Sequence, residues 1–211
     1  MRQGDRSQGQ PTQSEHWWDK KLHIDTCGRE AFLTDPDCNG YEPTDYCVLE
    51  RLAQSGCLTP DSKLLDYGCG KGRCLLFLAA MTGCSAVGVE IGEPLLQKAR
   101  ENLRTSRLPQ DYKDRIKLLH IDARLYEPQD EDTIFFFNPF SEEIFKVVLG
   151  RIRQSYYENP RPIRLFLYYP EDAFVALLMA EREILFVDEI DCTDLFPEGS
   201  RRERLLIFEY A

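Results

Sequence analysis

The sequence predicts an α/β fold built on a doubly wound, mostly parallel sheet, and three observations predict it. First, a short apolar run ending in an acid, Leu64-Leu65-Asp66, meets a glycine-rich turn at Gly68, Gly70 and Gly72. The turn opens a helix-length apolar segment, 74–81, and a second strand-like run, 86–89, ends in another acid, Glu90. That strand–turn–helix–strand unit is the first half of a nucleotide-binding α/β fold. Second, short apolar runs alternate with helix-period patterns along the rest of the chain, the mark of parallel crossover units. Third, residues 133–137 (Thr-Ile-Phe-Phe-Phe) are continuously apolar, as a central strand buried on both faces must be.

The bulk properties narrow the class. The 211 residues suit one domain with a full core. No apolar run approaches the roughly 18 residues of a membrane span. The polar start lacks an apolar signal core, so a cytoplasmic protein with no membrane partner is expected. None of the eight cysteines forms a C-x-x-C pair, and reduced thiols without a metal site are expected. The net charge of −10 argues against extended DNA or RNA as the substrate and favours a small molecule or a protein.

In chain order, residues 1–14 read as a disordered polar tail. Residues 15–58 read as an N-terminal arm and helix, with Trp17 and Trp18 stapling the arm or closing over the site. The stretch 26–41 is rich in Gly, Pro, Asp and Asn and reads as an irregular loop. A helical pattern follows at 47–53 and ends at Ser55-Gly56. From 59 to 211 a single catalytic domain is expected. After Glu90, Pro94 opens a helix with Leu95, Leu96, Ala99 and Leu103 on one face. A third strand, 117–121, ends in Asp122-Ala123. The fourth, 133–137, ends in Asn138-Pro139-Phe140-Ser141, before a helix at 142–153. A fifth strand covers 164–169, a short helix 170–180, and two last strands 183–190 and 204–210 bring the count to seven.

The chemistry sits at strand ends. Glycines let the backbone approach a ligand, and the following helix aims its N-terminal amides there. Glu90 can accept two hydrogen bonds from a ribose diol. A dinucleotide fingerprint would place its third glycine at position 73, where the chain has Arg73. The pattern Asp66-x-Gly68-x-Gly70-x-Gly72 instead resembles motif I of the class I S-adenosylmethionine-dependent methyltransferases. The resemblance covers about 41–211. It implies a Rossmann-like sheet whose last strand is antiparallel, inserted between the fifth and sixth, and S-adenosylmethionine as cofactor. It implies a cofactor set of Asp66 (methionine amino end), Tyr67, Gly68, Gly70, Gly72, Glu90 with Ile91 (ribose), Asp122 with Ala123 (adenine) and Asn138. It also makes the arm a cap on the cofactor site.

Asn138-Pro139-Phe140 looks like a shortened Asn-Pro-Pro-aromatic motif of amino-group methyltransferases, which makes these three the catalytic candidates. There the Asn side chain and a backbone carbonyl hold the target N–H groups and the aromatic stacks on a planar substrate. With one proline fewer, the alternative is that Asn-Pro ends the strand and Ser141 caps the next helix. Trp18, Tyr41, Thr44, Tyr46 and Phe140 are candidates for substrate contact. The acceptor is expected to be a protein side chain or a small molecule. An RNA or nucleobase amine is the alternative, as is a cofactor-binding or partner-binding module without turnover. Oligomeric state is not encoded legibly.

Overall fold

The structure, a computed structural model, describes residues 13–30, 37–197 and 199–210. The expected polar tail lies outside the described residues as far as residue 12. Gln13 already belongs to the first helix, α1 (Gln13–Leu22). Residues 31–36 of the irregular stretch also lie outside.

Seven strands form one sheet: β1 (Lys63–Tyr67), β2 (Ser85–Glu90), β3 (Ile116–His120), β4 (Thr133–Phe136), β5 (Ile163–Tyr168), β6 (Ile184–Asp191) and β7 (Arg204–Tyr210). Their spatial order is β3-β2-β1-β4-β5-β7-β6. The pairs β1–β2, β2–β3, β1–β4 and β4–β5 are parallel, and β7 runs antiparallel to both β5 and β6. The inserted antiparallel strand is therefore where the resemblance put it. From β1 the chain proceeds to β2 and β3 on one side and returns to β4 on the other. A crevice opens at such a switch point, outside the carboxyl ends of β1 and β4.

Period-2 alternation sends neighbouring side chains to opposite faces of the sheet. Leu64 and Phe135 join a core formed with α2 (Tyr46–Gln54) and α3 (Arg73–Thr82), around Tyr46, Leu49, Leu75 and Phe77. Leu65, Ile134 and Phe136 join the other core, beneath α6 (Glu142–Glu158) and α7 (Asp172–Ala180). There Phe145 stacks on Phe174 with ring centroids 3.9 Å apart. Helix α6 runs past the expected 153, its buried face continuing from Ile152 to Ser155. It stops at Glu158, before Asn159-Pro160, where proline restricts the preceding residue. Helix α4 (Glu93–Thr105) has the expected proline in its first turn. Helix α5 (Gln110–Lys113) is a single turn with no apolar period to announce it. No helix among the described residues is long and apolar enough to cross a membrane.

The arm is anchored from below. Trp18 is buried edge-on against Phe77, 4.9 Å between centroids, and donates to Glu50 Oε1 at 3.0 Å. Arg73, the first residue of α3, is also buried. It donates to Glu15 Oε2, to Thr26 Oγ1 at 2.8 Å and to the Thr44 carbonyl at 3.1 Å, and lies 4.3 Å over the Tyr46 ring. A buried guanidinium with a carboxylate and two oxygen acceptors is satisfied. The residue that replaces a dinucleotide fold's third glycine thus ties the arm to the sheet.

Candidate functional site

The glycine turn leaves β1 with Gly68 and Cys69 donating to the Val89 carbonyl at 2.8 and 3.1 Å, which locks the turn to the end of β2. Gly68 has φ +75°, and a Cβ there would lie 2.6 Å from the Pro139 Cβ. Gly70 has φ +52°, and a Cβ there would overlap the Tyr41 ring. Both positions need glycine, for conformation and for space.

Three acids end successive strands. Glu90 is buried, with Oε2 accepting from the Gly70 amide at 2.9 Å and Oε1 from the Gly92 amide at 2.7 Å. Burial raises its pKa, and those amides work against the rise. Asp66 is buried without a cation beside it among the described residues. Desolvation first, then the Glu90 charge, push it up to about 8, while a hydrogen bond with the Cys74 thiol opposes the shift. Asp122 behaves in the opposite way. Its hydrogen bonds with Arg124, from the backbone amide at 2.8 Å and from Nε at 2.9 Å, hold it below the usual carboxylate range.

The turn after β4 is strained. Asn138 has φ +41°, in the left-handed region that non-glycine residues seldom adopt. Its Nδ2 donates to the Tyr169 carbonyl at 2.7 Å, and Tyr169 itself has φ +49°. Only an NH2 group can donate to a carbonyl, so this bond fixes which end of the Asn138 amide is oxygen. Residues 37–41 lie across the turn as a strap. Asn39 donates its Nδ2 to the Asn138 carbonyl at 2.7 Å and its amide to the Pro139 carbonyl at 3.1 Å. Ser141 donates its amide to the Asp37 carbonyl at 2.7 Å, and Cys38 forms an antiparallel bridge with Phe140. Ser141 also caps α6, accepting from the Ile144 amide.

These parts line one pocket that opens to solvent, about 980 Å³ when the open space at its mouth is included. Of the residues singled out in the sequence, Asp66, Tyr67, Gly68, Glu90, Ile91, Asp122, Ala123, Asn138, Pro139, Phe140, Tyr41 and Thr44 line it. Gly70 and Gly72 shape the turn behind the lining.

Two expectations are corrected. Trp18 and Tyr46 lie in the core beneath α3, packed against Phe77, not on the pocket wall. Phe140 reaches the wall, but its ring is spent on Tyr67, Phe136 and Phe174 in the second core, so it presents no free face for stacking. Sequence reading missed Cys38, Asn39, Gly40, Glu42 and Pro43 of the strap side, and the apolar Leu95, Ile121, Phe137 and Ile144. Irregular backbone carries no periodic signal that could have revealed the strap.

Known proteins resemble this chain in sequence over part of its length and in fold. Residues 64–154 match the family described as "Methyltransferase domain". A ribosomal protein L11 methyltransferase of Saccharophagus degradans is 33% identical over 107 residues, which is 42% of this chain and 36% of that protein. The chain thus spans little more than a third of that curated relative. An RNA methyltransferase from Salinibacter ruber, crystallised with S-adenosyl-L-homocysteine, superposes with a TM-score of 0.53 at 17% identity, covering 80% of this chain and 92% of that one. The mitomycin 7-O-methyltransferase MmcR superposes with a TM-score of 0.56 at 13% identity over 78% of this chain and 53% of that one. At such identities the two structures speak for the fold alone.

Proposed function

We propose that the chain is a class I S-adenosylmethionine-dependent methyltransferase, a reading supported by the match of residues 64–154 to the methyltransferase domain, and that it transfers a methyl group from S-adenosylmethionine to a small molecule or a protein side chain. One observation carries the reading. Buried acids at the ends of β1 and β2 flank a glycine turn and open onto one pocket at the sheet's switch point. The residues fit a cationic nucleoside. Asp66 is a buried acid without a cationic partner among the described residues, which disfavours its ionised form until a positive group arrives.

When bound, S-adenosylmethionine supplies a methyl group already activated by a positively charged sulfur. The chain's own residues then hold and orient. Asp66 receives the amino end, with the Tyr67–Gly68 backbone beside it. Each Glu90 oxygen keeps a lone pair beyond its bond to Gly70 or Gly92 and accepts from a ribose hydroxyl. Ile91, Leu95 and Ile121 give the base an apolar slot. Asp122 accepts from its amine while still paired with Arg124, and the Ala123 amide donates to a ring nitrogen. The strap borders the amino end, with the Tyr41 ring laid against Gly70. Asn138 Oδ1 orients the acceptor, and positioning supplies most of the acceleration. Eight free cysteines suit the reducing cytoplasm, where we place the protein.

Transfer of labelled methyl from S-adenosylmethionine into the protein, RNA and small-molecule fractions of a cell extract tests the proposal. Label is expected in the protein or small-molecule fraction, and at least about tenfold less with Asn138→Ala, the worth of one well-placed contact. Label confined to RNA would move the acceptor to nucleic acid. Cofactor binding with no label in any fraction would make the chain a binding module.

A further inference from the structure

We infer that the acceptor carries a single hydrogen-bond donor at the reacting atom, as a hydroxyl, a thiol or a secondary amine does. We also infer that Asn39 is a positioning residue that disfavours primary aryl amines. The inference rests on the methyl-transfer reading above and concerns the same site.

Asn138 and Pro139, the first two residues of the turn, carry three oxygens that could hold an acceptor's hydrogens: Asn138 Oδ1 and the two carbonyls. Both carbonyls are engaged by Asn39, one by its side chain and the other by its main chain. The Asn138 amide is turned by the Tyr169 carbonyl so that Oδ1, not Nδ2, is left over, and Oδ1 accepts from no described residue. Each carbonyl keeps one lone pair beside its bond from Asn39, so Oδ1 is the one of these three oxygens that carries no protein hydrogen bond among the described residues.

The strap is held along its length, so its hold on the carbonyls is part of the fold. Asp37 takes the Ser141 amide, Cys38 bridges Phe140, and Tyr41 donates its hydroxyl to the Thr26 carbonyl at 2.6 Å. The ring that could recognise a planar base is likewise committed, since Phe140 packs into the core.

A primary aryl amine brings two N–H donors to this turn, where one of the three oxygens is free of protein hydrogen bonds among the described residues. The second N–H must share a carbonyl that already accepts from Asn39, a poorer bond than one to a free oxygen and a loss of about tenfold in binding. A hydroxyl, thiol or secondary amine brings one hydrogen and is fully matched. The shortened motif, one proline short of the amino-group pattern, thus sits in a turn rebuilt around a strap.

The test uses the full-length chain with S-adenosylmethionine and reads S-adenosylhomocysteine release from phenol, thiophenol and N-methylaniline against aniline, adenine and cytosine. At least one of the first three is expected to turn over, about tenfold or more faster than any of the primary amines. Asn39→Ala frees the Asn138 carbonyl as a second acceptor. It is expected to narrow that ratio about three- to tenfold, the worth of one hydrogen bond, when all acceptors are compared at saturating S-adenosylmethionine. Asn39→Asp keeps the shape, removes the side-chain donor and should move the ratio the same way. Primary amines reacting as fast as the single-donor probes, or no product from any single-donor probe, overturn the inference. An unchanged ratio in both variants removes Asn39 from it. Failure of the wild type to bind S-adenosylhomocysteine refutes the methyl-transfer reading instead.

Discussion

Replacing Asp66 by Asn should make the free protein more stable and the ligand weaker, because the acid is kept in a place that suits only its bound state. Its folded pKa of about 8 lies some four units above the ordinary value of 3.8. The folded chain therefore retains a proton that the unfolded chain gives up. Stability falls as pH rises from about 4 to about 8 and then levels off. At about 1.4 kcal/mol per unit, the fall is on the order of 5 kcal/mol at most. An asparagine side chain has the same shape and no ionisation. By pH 8 the Asp66→Asn protein should outlast the wild type by a few kcal/mol, raising Tm by about 5 °C or more for a chain of this length. The gap should close towards pH 4, where both side chains are neutral.

Binding should move the other way. Losing a charge-assisted contact to an amino group weakens the complex about ten- to a hundredfold. If the bound state needs ionised Asp66, the ionised fraction of the free protein grows about fiftyfold between pH 6 and pH 8, and wild-type affinity should follow it. Scanning calorimetry across pH and titration calorimetry with S-adenosylmethionine read both effects. An Asp66→Asn protein no more stable than wild type at pH 8, together with an affinity flat from pH 6 to pH 8, would refute the reasoning.

Other substitutions probe the frame around the pocket. Arg73→Met strands the buried Glu15 carboxylate and should destabilise the fold by about 3–5 kcal/mol in denaturant unfolding, with Glu15→Gln restoring part of the loss in the double variant. Gly68→Ala puts a methyl group against Pro139 at a positive φ. It should cost about 1–3 kcal/mol and weaken cofactor binding, measured by thermal shift with and without ligand. Trp18→Ala should cost about 3–5 kcal/mol in the same unfolding assay. It should leave cofactor affinity per folded molecule unchanged, since the ring lies in the core.

What was legible in the sequence was whatever local period and strand-end chemistry record. The alternation of strands and helices, the glycine turn and the acids Asp66, Glu90 and Asp122 all follow from spacing along a few residues. The strap left no such trace. Asn39 meets Asn138 across 99 residues through backbone carbonyls, which any residue possesses. Arg73 meets Glu15 across 58 residues. The sequence does exclude glycine at 73, but it says nothing of the partner that makes a buried arginine tolerable. Trp18 and Tyr46 were misplaced because a large aromatic near a site serves the wall or the core equally well on composition. Only the packing against Phe77 decides between them.

Titration of the wild type with S-adenosylhomocysteine, beside Asp66→Ala and Glu90→Ala, tests the central claim most directly. Micromolar binding by the wild type, lost in both variants while each remains folded, is the predicted result. Folded wild-type protein that binds neither S-adenosylhomocysteine nor S-adenosylmethionine would contradict the account and leave the glycine turn as architecture.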